Sequence, residues 1–135
     1  MPRIQDKLPT ILVVDDEPCM LQVTQRILDR RGYPTCVFTS AVTAYETLRT
    51  GDETPDLVLS DVDMPEMNGL EFFRKARLLK PQLRFLFVTG SPSMLQDHSG
   101  AFPRESGLLL KPFTAESLLH AIHSRMSDPD QGADK

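Results

Sequence analysis

Four short, uninterrupted apolar runs punctuate the chain: Ile11-Leu12-Val13-Val14, Leu57-Val58-Leu59, Phe85-Leu86-Phe87-Val88 and Leu108-Leu109-Leu110. A fifth and weaker run, Cys36-Val37-Phe38, lies between the first two. Runs of this length without polar alternation predict strands covered on both faces, the habit of parallel sheets. Segments of helical period separate them. Pro18 suits a first helical position, Leu21, Thr24 and Leu28 share one face, and Gly32 is placed to close that helix. Ser40 is positioned to cap a second helix carrying Ala44, Tyr45 and Leu48. A third spans Gly69 to Lys80 with Leu70, Phe73 and Arg77 at helical spacing, and stops before Pro81. Thr114 is placed to cap a last helix whose Leu118, Ile122 and Met126 lie four apart. From Ser91 to Gly107 the residues Pro92, Gly100 and Pro103 restrict any helix to a short one near Ser93 to His98.

Strands alternating with helices predict an α/β fold with right-handed crossovers. The 135 residues suit one domain, read as a lead-in over 1–9, a folded unit over 10–126 and a polar tail over 127–135. Charge narrows the function classes. Fifteen Lys and Arg against nineteen Asp and Glu leave a net charge of −4, a poor match to phosphate backbones, so direct nucleic-acid binding is not expected. No apolar run approaches the ~18 residues of a membrane span, and Asp15 and Asp16 interrupt the first run before a signal sequence could form. The expectation is a cytoplasmic protein with Cys19 and Cys36 reduced and chemically idle.

Open α/β sheets bind ligands beyond the carboxyl ends of their strands. Asp15 and Asp16 follow the first run, Asp61 the third strand, Thr89 the fourth and Lys111 the fifth. Three carboxylates converging on one edge repel one another unless protonated or bound to a cation, and hard oxygen donors in that number suit Mg²⁺. A lysine and a hydroxyl opposite them would receive phosphoryl oxygens. Asp61 is the carboxylate best placed as nucleophile, because a carboxylate can carry a phosphoryl group as an acyl phosphate. Taken singly, Asp15-Asp16-Glu17-Pro18 is an ordinary acidic helix start and the others are loop residues. Their joint arrival at four strand ends is what points to chemistry. Met64, Pro65, Met67 and Gly69 read as turn and core, and His98, His120 and His123 as solvated.

The run Ile11-Leu-Val-Val-Asp-Asp-Glu-Pro18, the block from Asp56 to Gly69, Val88-Thr-Gly90 and Leu110-Lys-Pro-Phe113 together resemble the receiver domain of two-component response regulators, over roughly Thr10 to Met126. The resemblance implies a flavodoxin-like, doubly wound five-stranded parallel sheet of order 2-1-3-4-5 with helices on both faces. It implies that Asp61 accepts a phosphoryl group from a phosphohistidine of a sensor histidine kinase or phosphotransfer protein, with an output partner or fused domain it does not name. By the same resemblance Asp16 and Asp61 are carboxylate ligands of Mg²⁺, Asp63 supplies a backbone carbonyl, and Asp15 acts through a metal-bound water. Thr89 is then the switch hydroxyl, Lys111 the pairing ammonium, and Lys111-Pro112 a cis bond. Such a domain is a phosphoacceptor rather than a turnover enzyme. Two positions depart from the family pattern: Leu108 stands where a Tyr or Phe is usual, and Asp63 adds a carboxylate two residues after the acceptor. The alternative is a haloacid-dehalogenase-like phosphatase built on Asp61-Val62-Asp63, but that family places its acidic pair after the lysine, whereas Asp15 and Asp16 precede Asp61.

Overall fold

The computed structural model describes residues 8–90 and 107–127. Five strands, β1 (Ile11–Val14), β2 (Thr35–Phe38), β3 (Leu57–Asp61), β4 (Arg84–Thr89) and β5 (Gly107–Leu110), form one parallel sheet of order β2-β1-β3-β4-β5. Four helices accompany them among the described residues: α1 (Pro18–Arg30), α2 (Ala41–Thr50), α3 (Gly69–Leu79) and α4 (Ala115–Ser127). The short helix expected near 93–98, His98, residues 1–7 of the lead-in and residues 128–135 of the tail lie outside the described residues. Ser127, read as the first residue of the tail, is the last residue of α4.

Burial follows strand position. The inner strands β1 and β3 are buried throughout, β4 from its second residue on, and edge strand β2 only partly. On β5, the other edge, Leu108 and Leu110 remain 36% and 43% exposed, so that apolar run is covered less than its composition suggests. Alternation splits the strands between two cores. Leu12, Val14, Val58, Phe85 and Phe87 meet α2 and α3, while Ile11, Val13, Leu57, Leu59, Leu86 and Val88 meet α1 and α4. Phe72, Phe73, Phe85 and Phe87 pack edge-on or tilted, with ring centroids 5.0–5.9 Å apart, arrangements favoured by the ring quadrupole.

The helix ends follow the sequence. Gly32, at φ 83°, ends α1 with its N–H on the Asp29 carbonyl and that of Tyr33 on Leu28, a Schellman closure that a β-carbon would oppose. The Ser40 hydroxyl accepts the Val42 N–H, and Thr114 accepts that of Ser117. For α3 the sequence holds a signal beyond Gly69: Asn68 and Glu71 form a reciprocal capping box, at 2.9 and 3.0 Å. The buried face of α4 differs from its expected stripe. Leu118, Ile122 and Arg125 are buried, with Met126 only partly so. The Arg125 Nε donates to the Phe85 carbonyl at 3.1 Å, which satisfies that group inside the core.

Candidate functional site

The sheet order places the carboxyl ends of β1, β3, β4 and β5 side by side, and Asp15, Asp16, Asp61, Thr89 and Lys111 sit at that edge. Asp61 is the last residue of β3 and only 7% exposed. Its Oδ1 accepts the N–H of Val62 at 2.8 Å, and its Oδ2 faces the Lys111 Nζ at 3.5 Å. Asp15, directly after β1 and equally buried, has both oxygens engaged: Oδ1 takes the Glu17 N–H at 3.0 Å, and Oδ2 pairs with Lys111 Nζ at 3.1 Å. One oxygen from each of Asp15, Asp16 and Asp61 falls within 4.8 Å of the others, with Asp16 the outermost of the three. Thr89, the buried last residue of β4, accepts the backbone N–H of Lys111 at 2.8 Å through its carbonyl, which fixes the start of the lysine segment beside it. The Lys111-Pro112 peptide is cis. Asp63 is exposed and lies outside the three-carboxylate cluster.

Two contributors had no assigned role in the sequence reading. Glu17 brings a third carboxylate to Lys111 at 3.8 Å, and the Val62 amide holds the Asp61 carboxyl. The first was visible as the residue following the acidic pair. The second is a backbone group and leaves no trace in side-chain pattern.

Beneath the carboxylates the floor is packed. Val13, Leu59, Val88 and Phe113 leave a void of only about 10 Å³, room for one water at most. Burial is accordingly the main cause that raises the Asp61 carboxyl from 3.8 to about 6; the Lys111 charge opposes the rise, and Asp15 and Asp16 add to it. Burial acts to lower Lys111, but the hydrogen bond it donates to Asp15 and the charges of Asp61, Asp15 and Glu17 outweigh it and leave the ammonium raised. The site thus gathers more negative charge than one lysine neutralises. Oxygen donors in this arrangement fit a small hard cation such as Mg²⁺, which takes one or two carboxylates and keeps waters or phosphoryl oxygens on its other positions.

The remaining candidates stay outside the chemistry. Met64, Met67 and Gly69 are buried, and His120 and His123 are exposed. Burial and the neighbouring Glu53 push the Cys36 thiol up to about 12, which disfavours its thiolate form. No helix among the described residues is long and apolar enough to cross a membrane.

Comparison with known proteins agrees with this geometry. The family model of the response regulator receiver domain matches residues 11–123. The response regulator receiver protein CpdR of Brucella abortus (strain 2308) is 32% identical over 86% of this chain and 95% of its own length. The sensor kinase CckA of the same strain is 31% identical over 90% of this chain, which spans 13% of that kinase. Among solved structures, a CheY-like receiver domain protein from Methanospirillum hungatei JF-1 superposes with a TM-score of 0.78 at 27% identity, covering 93% of this chain and 99% of that one. Nothing in these likenesses favours the phosphatase alternative. The match runs from the first strand into the last helix and takes in all the strand ends that carry the carboxylates and the lysine, so the chain belongs to the response regulator receiver domain family, the phosphoacceptors of two-component signal transduction.

Proposed function

We propose that Asp61 is the phosphorylation site and that the chain receives its phosphoryl group from the phosphohistidine of a sensor histidine kinase or phosphotransfer protein, in the cytoplasm and without turnover of a small substrate. The observation that carries this reading is a buried carboxylate at a central strand end, facing an ammonium at 3.5 Å inside a cluster of two further carboxylates. With its carboxyl near 6, Asp61 is ionised at neutral pH and able to attack. An oxygen of Asp61 forms the new bond to phosphorus, the N–P bond of the phosphohistidine breaks, and its electron pair returns to the imidazole nitrogen. Lys111, already between Asp15 and Asp61, shifts its pairing toward the incoming phosphoryl oxygens. Thr89 lies at the adjacent strand end to meet another. Asp15, Asp16, Asp61 and the Asp63 carbonyl would hold Mg²⁺, which supplies charge neutralisation for the transferring group. Incubation with Mg²⁺ and acetyl phosphate or beryllofluoride is expected to modify the parent chain at one site and leave Asp61→Asn unmodified. Full modification of that variant would remove Asp61 from its role.

The metal roles are separable. Both oxygens of Asp15 are engaged by the protein, whereas Asp16 is the outermost of the cluster. Asp16→Ala is expected to weaken Mg²⁺ binding by tenfold or more, and by more than Asp15→Ala does. A Mg²⁺ titration giving equal losses, or the reverse order, would contradict the assignment.

Asp63 sets the lifetime in this reading. A unit charge ~6 Å from the phosphoryl group at an effective dielectric near 20 is worth on the order of 3 kcal/mol before Lys111 and the metal screen it. A carboxylate there also orients water for in-line attack. Both effects favour loss of the phosphoryl group, so Asp63→Asn and Asp63→Arg are expected to lengthen the phosphorylated lifetime by about tenfold, equivalent to roughly half that energy. Unchanged or faster decay in both variants would refute this role.

A further inference from the structure

Two clefts among the described residues lie away from the phosphoryl site, and one of them joins a charged rim to an apolar floor. Between α1 and α4 runs a groove of about 450 Å³, the size of a small-molecule pocket. Its floor is Val23, which is 47% exposed, with Ile27 and Leu119, both half-buried against the α1 and α4 side of the core. Its rim carries Arg26, Arg30 and Arg31 against the single carboxylate of Glu116. Three positive charges against one negative leave a surplus of two, in a chain whose net charge is −4.

Local structure does not explain these arginines. Among the described residues none of the three is in an ion pair. The helix dipole favours a cation in the last turn, which accounts for Arg30. Arg26 lies a full turn earlier and stacks beside Arg30 at i,i+4, where like charges destabilise a helix. An anion seated between them relieves that repulsion, and an apolar body attached to it covers Val23, Ile27 and Leu119.

We propose that this groove binds a small, soluble, anionic amphiphile: a phosphate, sulfonate or carboxylate head held by Arg26, Arg30 and Arg31, with an apolar body on Val23, Ile27 and Leu119. The site is distinct from the acidic edge. With a rise of ~1.5 Å per residue, Arg30 lies about 18 Å along α1 from Pro18 at that edge, so both sites can be occupied at once. They have no lining residue in common, but the chain connects them closely. Glu116 is five residues beyond Lys111, and Phe113 between them closes the floor under Asp61. The ligand would therefore rest on the first turns of α4, the helix that begins four residues after the lysine.

The probe is 1-anilinonaphthalene-8-sulfonate, an anionic amphiphile, titrated by fluorescence into the full chain. Saturable one-to-one binding is expected, with a dissociation constant on the order of tens of micromolar for a ligand of this size. Amide shifts are expected at Val23, Ile27 and Leu119. The Arg26→Ala/Arg30→Ala double variant is expected to bind at least tenfold more weakly, while Arg74→Ala on α3 leaves binding unchanged. Arg30→Gln separates binding from folding, because the relief of the repulsive i,i+4 pair offsets the lost interaction with the helix dipole. It should leave the melting temperature close to that of the parent and still weaken the probe. Binding within twofold of the parent in the arginine variants would overturn the proposal. So would equal affinity for the neutral analogue N-phenyl-1-naphthylamine, or capture by phosphatidylglycerol vesicles without saturable binding of the free probe. Asp61→Asn should retain the probe in full, so a failure here and a failure of the phosphoacceptor assignment are read separately.

Discussion

In Mg²⁺-free buffer at pH 7.5, Asp61→Asn is expected to be more stable than the parent chain by about 2 to 3 kcal/mol, even though the proposed function has it lose phosphorylation. A carboxyl whose value rises from 3.8 to about 6 on folding meets roughly 3 kcal/mol of unfavourable interaction when ionised in the native state. Burial at the end of β3 is the main source, followed among the destabilising contributions by the nearby Asp15 and Asp16. The sign follows from proton counts. Between pH 4 and 6 the folded state holds the Asp61 proton more tightly than the unfolded state, so the parent loses stability as pH rises through that window. Above pH 6 the penalty is fully present, and below pH 4 both states are protonated and it vanishes. Asparagine keeps an oxygen for the Val62 N–H without the charge. Urea unfolding in EDTA at pH 7.5 and pH 4 tests this: the stability gap should be wide at the first and nearly closed at the second. A variant no more stable than the parent at pH 7.5 would show that the carboxylate cluster stores no repulsion. Adding Mg²⁺ should stabilise the parent and narrow the gap, since a cation that binds only the native state raises its stability by mass action.

The largest loss is expected from Gly69→Ala, about 3 kcal/mol or more. A β-carbon at Gly69 would lie 2.4 Å from the Asp61 carbonyl oxygen and 3.0 Å from the Val62 Cα. Both are backbone atoms at the end of a central strand, and neither can swing away as a side chain would. The Gly69 N–H also donates to the Val62 carbonyl at 2.9 Å, so α3 begins pressed against the segment that carries Asp61. Relief requires moving either the first turn of α3 or the end of β3, at the upper end of the cost of overpacking. Movement of β3 displaces Asp61, so acetyl phosphate should modify the folded fraction of the variant more slowly. Gly51→Ala is the control. Its site is open to 4 Å but its φ is 84°, which makes the expected cost about 1 kcal/mol of backbone strain alone. Chemical denaturation of both variants would decide between the mechanisms. A Gly69→Ala loss no larger than that of Gly51→Ala would mean the contact between α3 and β3 is soft.

The elements and the acidic edge were legible in the sequence because their signals are local. Apolar runs mark strands, and the inward face of α1, with Leu21, Thr24 and Leu28, follows from a period that neighbouring residues share. Strand ends are local too, so Asp15, Asp61, Thr89 and Lys111 could be assigned to one edge before any contact was known. The order 2-1-3-4-5 came from family resemblance and not from periodicity, which says nothing about which strands are neighbours. Tertiary structure alone decided the partners. Lys111 meets Asp15 across 96 positions and Asp61 across 50, and the rise of the Asp61 carboxyl depends on those contacts and on the packed floor beneath it. It also buried Arg125 on a carbonyl 40 positions away, left Leu108 and Leu110 exposed at a sheet edge, and opened an arginine-rimmed groove between two helices far apart in sequence. Periodicity reports which side of an element faces inward. Desolvation, charge coupling and close approach depend on what lies across the gap, and that is set only when the chain has folded.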